Sequence, residues 1–173
     1  MVCTTDERRY NVDFSGSVDS CGGFDNNVIQ CETFELAPVD GKDGELGLQG
    51  DIELSVEIED GTMVKLEVWK ISDMGNEYMY RAQGDICGSL KDENAPWFPV
   101  VAAMNISECP IPVKSYAVKD MTLDLKETKE MLTHDMCGDY MVMMMFTTKD
   151  NDDMSCHEIG VSISEYTCDG DEK

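Results

Sequence analysis

The sequence predicts an all-β fold in which two antiparallel sheets pack against each other as a sandwich. Apolar and polar residues alternate with a period of two, turn residues separate these segments roughly every 10–15 residues, and helical patterns are few. The chain has 173 residues, which is the length of one domain. We therefore expect a single domain over 1–173, with its core at about 20–166 and a polar tail at each end.

The clearest strand patterns lie in the first half of the chain. The segment 27–38 holds several large apolar residues and ends at a proline, and we expect it to be the first strand. Apolar and polar residues alternate in 52–58 and, after an acidic, glycine-containing turn, again in 64–68, so these segments are predicted to pair as a hairpin. A turn at 72–76 leads to an aromatic strand at 77–82.

The middle of the chain breaks this alternation. The span 84–108 carries two prolines around Trp97-Phe98, and we expect helical turns at 85–92 and 100–105. Strands are predicted again at 118–125, 140–147 and 158–164. The polar stretch between the first two of these strands is expected to be a loop.

Net charge excludes several classes of partner. The chain carries 13 basic and 36 acidic side chains, a formal net charge of −23. A surface this negative repels phosphates, so we expect no nucleic acid partner and weak docking to anionic lipid surfaces. The hydrophobic content of 42% is too high for a disordered acidic tail. No apolar run reaches the roughly 18 residues that a membrane-spanning helix needs.

Eight widely spaced cysteines favour disulfides over a metal centre. No C-x-x-C pair occurs and there are two histidines, whereas zinc ligands usually come in close pairs. We expect four disulfides formed in an oxidising compartment, and the sequon at Asn105 is a candidate glycosylation site. The N-terminal residues have no apolar signal segment, so a secreted protein would be present here in its mature form.

Catalytic signatures are missing from the sequence. It has no G-x-S-x-G, no Walker loop and no H-E-x-x-H, and His157-Glu158 lacks the second histidine of a zincin. The acidic turns at 40–45 and 150–153 do not fit the register of a calcium-binding loop. We therefore predict that the protein is not an enzyme and holds no cofactor or metal.

Apolar residues in excess of the alternation form the main functional signal. Residues 140–146 are apolar on both faces, which indicates a strand covered on both sides, a dimer surface or the wall of a ligand cavity. One face must point inward, and two sets are open: Tyr140, Val142, Met144 and Phe146, or Met141, Met143 and Met145. Trp97 and Phe98 either cap the core or form a hydrophobic lip.

Several short motifs occur in an order that resembles one family. Cys21 precedes the first strand, and five motifs follow: Leu36-Ala37-Pro38, Cys87-Gly88-Ser89-Leu90, Cys109-Pro110-Ile111 with Tyr116, Gly138-Asp139-Tyr140, and Cys156 with Ile159-Gly160-Val161-Ser162-Ile163. From about Ser20 to Tyr166 the chain resembles the lipid-recognition (ML) superfamily. Within it, the chain is similar to the ganglioside-activator-like proteins, including secreted insect proteins of the promoting-protein type.

The resemblance implies an immunoglobulin-like two-sheet β-cup with a hydrophobic cavity between the sheets. A short helical or looped insertion is expected around 85–107. The resemblance also implies two disulfides, Cys21–Cys156 and Cys87–Cys109.

The remaining four cysteines stay open. One option pairs Cys3 with Cys168 and Cys31 with Cys137. Ganglioside activators carry further cysteines around their Cys-Pro motif, where this chain has only Cys109. Neither a ganglioside ligand nor a hydrolase partner is therefore carried over.

Two hypotheses of function follow. The first is a secreted lipid-binding or lipid-transfer protein, extracellular or in the lysosomal lumen, that holds a lipid or fatty acid and could contact a membrane surface or a protein receptor. The second is a disulfide-stabilised immunoglobulin-like module with a filled core that acts by protein–protein contact. The candidate lipid-binding residues are Val56, Ile58, Leu66, Val68, Tyr80, Trp97, Phe98, Val100, Tyr116, Tyr140, Val142, Met144, Phe146 and Ile163.

Overall fold

Two antiparallel sheets form the fold, as the sequence predicted. The computed structural model describes residues 8–31, 33–39, 42 and 45–167. The strands are β1 (Arg8–Phe14), β2 (Asp19–Ser20), β3 (Ile29–Gln30), β4 (Glu35–Pro38), β5 (Glu45–Leu54), β6 (Met63–Ile71), β7 (Glu77–Asp85), β8 (Ser115–Asp124), β9 (Gly138–Thr147) and β10 (Asp153–Thr167). Two short helices, α1 (Phe98–Ala103) and α2 (Lys126–Glu130), accompany them.

The first sheet has the order β1-β10-β9-β6-β7, with β2 also paired to β10. The second sheet is built around β5, which pairs with β3 and β4 along one edge and with β8 along the other. Apolar side chains of the two sheets pack together, and Val64 of the first sheet and Val118 of the second are almost fully buried. The core therefore lies between the sheets.

The predicted hairpin between 52–58 and 64–68 is wrong. β5 ends at Leu54 and belongs to the second sheet, whereas β6 pairs with β7 and β9 in the first. Between them, Val56 is 41% exposed and Ile58 is held by a bridge to Ile111. Alternation shows which residues share a face of a strand, but it does not show which strand is the partner.

The predicted first strand at 27–38 is divided into β3 and β4. Both strands pair with the same edge of β5, and the interruption between them lies beside Gly50 of β5. Gly50 has a φ of 142°, and a Cβ atom there would lie 2.5 Å from the carbonyl oxygen of Thr33. Only glycine permits this close approach of backbones, so the backbone of residues 33 and 34 can lie against β5 at this point.

Three segments outside the predicted strands are ordered. Residues 8–14, assigned to a polar tail, form β1 and pair with β10 along the whole strand. The stretch predicted as a loop before β9 contains α2 and a 3₁₀ turn at His134–Met136. The insertion at 85–107 is helical in part, as predicted: it holds a 3₁₀ turn at Cys87–Ser89 and α1.

Candidate functional site: an apolar cavity between the sheets

An apolar cavity of about 270 Å³ lies between the two sheets. Its wall contains side chains from both sheets and from the insertion. From the first sheet come Phe14, Leu66, Val142, Met144, Phe146 and Ile159; from the second come Ile29, Leu36, Leu48, Ile52, Leu54 and Met121; from the insertion and its flanks come Ile86, Trp97, Val100, Val101, Met104, Ile106 and Ile111.

Strand β9 contributes a row of three side chains to the wall. Val142, Met144 and Phe146 line the cavity, so the inward set is the one that begins with Tyr140. Tyr140 itself is buried beyond the end of the cavity, where its hydroxyl donates a hydrogen bond to the carbonyl oxygen of Met136 at 2.6 Å. Tyr140 therefore ties the start of β9 to the 3₁₀ turn before it.

Trp97 forms the wall on the side of the insertion. Its side chain is 5% exposed, and its indole Nε1 donates a hydrogen bond to Ser89 Oγ at 2.9 Å. A Cβ atom at Gly84 would lie 3.2 Å from the Trp97 ring, so the missing side chain of Gly84 lets the ring lie close to β7. Next to it, Pro96 lines the cavity and is exposed to solvent, which places the rim of the cavity at the insertion.

Several of the candidate residues lie elsewhere. Val56 is exposed in the connection after β5, and Tyr80 is 49% exposed on β7, the last strand of the first sheet. Val68 on β6 lies directly opposite Tyr80 on β7 and Val142 on β9. Ile163 lies further along β10, opposite Val12 and Gly138.

Phe98 and Tyr116 belong to the packed core and are not part of the cavity lining. Phe98 begins α1 and packs against the buried core. Tyr116 is buried on β8, its hydroxyl donates to the carbonyl oxygen of Pro112 at 2.8 Å, and burial raises the pKa of the phenol. Ile58, Leu66 and Val100, by contrast, line the cavity together with Trp97 and the β9 row.

Much of the cavity wall was not among the residues that the sequence predicted. Ile52 and Leu54 belong to one of the alternating segments, and the same alternation extends back to Leu48. Met121 lies in a predicted strand. The signal for these residues was present, but choosing them required knowing that β5 and β8 face β9 across the core.

Two disulfides that the resemblance implied are formed. Cys21 and Cys156 are joined with their Cα atoms 5.4 Å apart, and Cys87 and Cys109 with theirs 5.8 Å apart. The first holds the chain before β3 to β10, and the second closes the insertion.

The pairing of Cys31 with Cys137 is wrong, since both are free thiols in the part of the chain that the structure describes. Cys31 lines the cavity, where burial raises the pKa of its thiol to about 12. Cys137 lies just before β9, outside the cavity. The other proposed pair, Cys3 and Cys168, lies outside the described residues.

Beside the apolar cavity lies a second, polar pocket of about 470 Å³. It is lined by Val18, Asp19, Ser20, Phe24, Asp25, Asn26, Asn27, Gln30, Cys31 and His157. Val18, Cys31 and His157 line both spaces. His157 is partly buried between them, and burial lowers the pKa of its imidazole.

Two groups of side chains in the described part of the chain bring together three possible metal ligands. One contains Asp60, but its other members are the cysteines of the Cys87–Cys109 disulfide, which are not available as ligands. The other is formed by His134, Cys137 and Glu165. There the Glu165 carboxylate already pairs with His134 and, at 3.4 Å, with Arg8.

These features define an antiparallel two-sheet sandwich with an apolar cavity between its sheets. Among the described residues, no helix has the length and apolar character needed to cross a membrane. No protein-family model and no curated protein matches the sequence.

Solved structures provide the comparisons. The chain is similar to the Niemann-Pick type C2 protein from the Japanese carpenter ant, with a TM-score of 0.44 and 12% identity over 83% of this chain and 96% of that chain. It is also similar to chicken MD-1 in complex with lipid IVa, with a TM-score of 0.41 and 13% identity over 86% of this chain and 98% of that chain. Both likenesses are similarities of fold at low sequence identity.

Proposed function

We propose that the protein is a secreted carrier that binds the hydrocarbon chain of a lipid between its two sheets. The observation that supports this proposal is the apolar cavity of about 270 Å³ walled by Val142, Met144, Phe146 and Trp97. Burial of each methylene group contributes roughly 0.8 kcal/mol. A chain of about ten methylenes would gain about 8 kcal/mol before the cost of association, so burial of the chain is a large favourable contribution to binding without a specific polar contact.

The remaining features fit an extracellular or lumenal carrier. The two disulfides offset part of the packing that an open cavity removes from the core, at about 2–4 kcal/mol each. The net charge of −23 favours solubility of a protein with an apolar interior. Asn105, the sequon asparagine, is exposed at the end of α1, where a glycan would have room. Binding and release of a lipid require no catalytic group.

The positions of the two tryptophans allow a direct test. Trp97 lies in the cavity wall, whereas Trp69 lies on β6 with its indole bonded to Glu67, away from the cavity. An uncharged lipid with bromine atoms on its acyl chain quenches a tryptophan that the chain contacts. In a Trp69→Phe protein, Trp97 fluorescence should be strongly quenched by this lipid and unaffected by its unbrominated counterpart.

The matched control is Trp97→Phe, which keeps only the tryptophan of β6. Its fluorescence should change little with the brominated chain. Equal quenching of both variants would place the chain at the surface. Absence of quenching in both, together with no lipid detected by native mass spectrometry before or after organic extraction, would favour the interaction-module hypothesis.

A further inference from the structure

The polar pocket and the apolar cavity adjoin each other at residues that line both spaces, and their linings are chemically opposite. The shared residues are Val18, Cys31 and His157. On one side of them the lining is apolar, and on the other it is made mostly of hydroxyl, amide and carboxylate groups. A ligand that fills both spaces must itself have an apolar part joined to a polar part.

We propose that the polar pocket binds the head group of the ligand, and that this head group donates hydrogen bonds and carries no negative charge. The proposal rests on the lipid-chain binding proposed for the neighbouring cavity. It identifies the ligand class as amphiphiles with a hydroxylated or amine head group, and it separates these from fatty acids and phosphorylated lipids.

The chemistry of the lining selects this class. Asp19 and Asp25 provide carboxylate oxygens, and an ionised carboxylate accepts hydrogen bonds but cannot donate them. Asn27 and Gln30 add amide groups that accept hydrogen bonds through oxygen and donate them through nitrogen, so the preference against anions comes from the two carboxylates. No lysine or arginine is among the described residues of this lining, so an anionic head group would face two carboxylates without a compensating cation. Phe24 adds an apolar face against which a sugar ring or a glycerol could lie.

The pocket is fixed to the cavity by bonds between its loop and β10. Asn26 Nδ2 donates to the carbonyl oxygen of Cys156 at 2.7 Å, and Asn26 Oδ1 accepts from the Cys156 amide at 2.8 Å. The Cys21–Cys156 disulfide joins the same two segments, and the Cys21 amide donates to the carbonyl oxygen of Cys156 at 3.0 Å. Because His157 follows directly, the loop that carries Asp25 keeps a fixed position relative to the cavity wall.

A matched set of ligands tests the proposal. A monoacylglycerol and the lysophosphatidic acid of the same acyl chain differ only by a phosphate, and a long-chain amine represents the amine class. Each displaces an uncharged fluorescent acyl probe from the full-length protein, below the concentrations at which micelles form. We expect the monoacylglycerol or the amine to bind at least about tenfold more tightly than the lysophosphatidic acid. The stronger of the two arms identifies the head group as hydroxylated or amine.

The variant that tests the pocket is Asp19→Asn with Asp25→Asn. It should bring the affinity for the lysophosphatidic acid to within a few fold of that for the monoacylglycerol. The matched control is Asp73→Asn with Glu77→Gln, two exposed carboxyl groups at the turn before β7. This control removes the same charge from the chain and should retain the discrimination of the parent protein.

Three results would decide against the proposal. Equal binding of the monoacylglycerol and the lysophosphatidic acid by the parent protein would overturn the head-group assignment, while the proposed chain binding would stand. Loss of discrimination in the Asp73/Glu77 control as well would show that overall charge, not the pocket, excludes anions. If none of the three ligands displaced the probe and the probe itself did not bind, the proposed function would fall and the head-group proposal with it.

Discussion

The two faces of β9 carry similar side chains in very different surroundings. Val142, Met144 and Phe146 point between the sheets and line the cavity. Met141, Met143 and Met145 alternate with them, so they lie on the outer face of the first sheet. A single strand thus borders an apolar cavity on one side and a group of charged and aromatic residues on the other.

Charged residues distinguish the outer face. Glu67 on β6 lies directly opposite Met143, and it is only 6% exposed although it belongs to the solvent side of the sheet. Arg81 donates two hydrogen bonds to Glu67 Oε1, from Nη2 at 2.6 Å and from Nε at 3.1 Å. Trp69 Nε1 donates to Glu67 Oε2 at 3.1 Å, and Lys65 Nζ lies 3.5 Å from Oε1.

The comparison shows that the same residue type fills two roles. On the inner face, unbranched methionine borders a space that a flexible chain could occupy. On the outer face, Met143 lies directly opposite Glu67, whose side chain is buried. The difference depends on the strands that flank β9, and substitutions at neighbouring positions of β9 should therefore have opposite consequences.

The largest expected effect separates Met144 from Met143. Met144→Lys would place an unpaired ammonium group in the apolar cavity, at a cost of several kcal/mol, and we expect binding of the uncharged fluorescent acyl probe to be abolished. Met143→Lys would place the same group opposite two carboxylates, Glu67 and Glu158, and should leave binding and stability near those of the parent. Ligand titration and urea denaturation of both variants measure the contrast. Comparable damage from both substitutions would mean that the two faces are not different in kind.

The next effect tests the group around Glu67. Arg81→Ala removes both guanidinium hydrogen bonds from a buried carboxylate, and we expect a loss of about 1–3 kcal/mol in the free energy of unfolding. Arg81→Lys keeps the charge without the two N–H groups and should lose less. Lipid affinity should be unchanged in both variants, because Arg81 lies on the outer face. A change in affinity without a change in stability would contradict this separation of the faces.

A smaller effect appears in the dependence of stability on pH. Burial alone would raise the pKa of Glu67, but hydrogen bonds from Arg81 and Trp69 and the charges of Lys65 and Arg81 outweigh it and hold the pKa below its ordinary value of 4.5. The unfolded chain therefore binds the proton more readily. The stabilisation is complete above the ordinary pKa and is lost as the pH falls through the folded value.

Glu67→Gln should remove this part of the acid sensitivity. Denaturation at a series of pH values from about 6 to about 3 measures it, and the slope of stability against pH should be shallower in the variant than in the parent. Glu57→Gln, at an exposed position after β5, is the matched control and should keep the slope of the parent. An identical slope in the parent and in Glu67→Gln would show that Glu67 does not contribute.

The sequence predicted where the strands of this molecule lie better than it predicted which residues lie next to them in the fold. The alternation around Glu67 correctly placed it on the polar face of its strand, since Val64, Leu66 and Val68 lie on the other. Its burial could not be predicted, because Arg81 and Met143 approach it from strands 14 and 76 residues away in the chain. The strand β1 was missed because its charged residues outweigh Val12 and Phe14 in the sequence pattern.

The candidate site shows the same division. The apolar excess of 140–146 left open a strand covered on both sides, a dimer surface and a cavity wall, and the two possible inward sets followed from alternation alone. Which set faces the cavity depends on Leu66 and Ile159, the cross-strand neighbours of Met144 and Val142. The polar pocket had no sequence signal, because His157 is 126 residues from Cys31 in the chain and they share a wall only in the fold.

The smallest expected effect is that of Met144→Ala. In a filled core this truncation costs about 2–5 kcal/mol, because the neighbours cannot close the space that is left. At the wall of an existing cavity the side chain already lacks part of its packing, and we expect a loss near 1 kcal/mol. The enlarged cavity should then favour bulkier or longer chains, measured by competition among monoacylglycerols of increasing chain length. Met144→Leu, which nearly conserves volume, should keep the preference of the parent. A loss of the full core magnitude, with no change in chain-length preference, would mean that Met144 packs in a closed core and that the inner face of β9 resembles its outer face more than the cavity suggests.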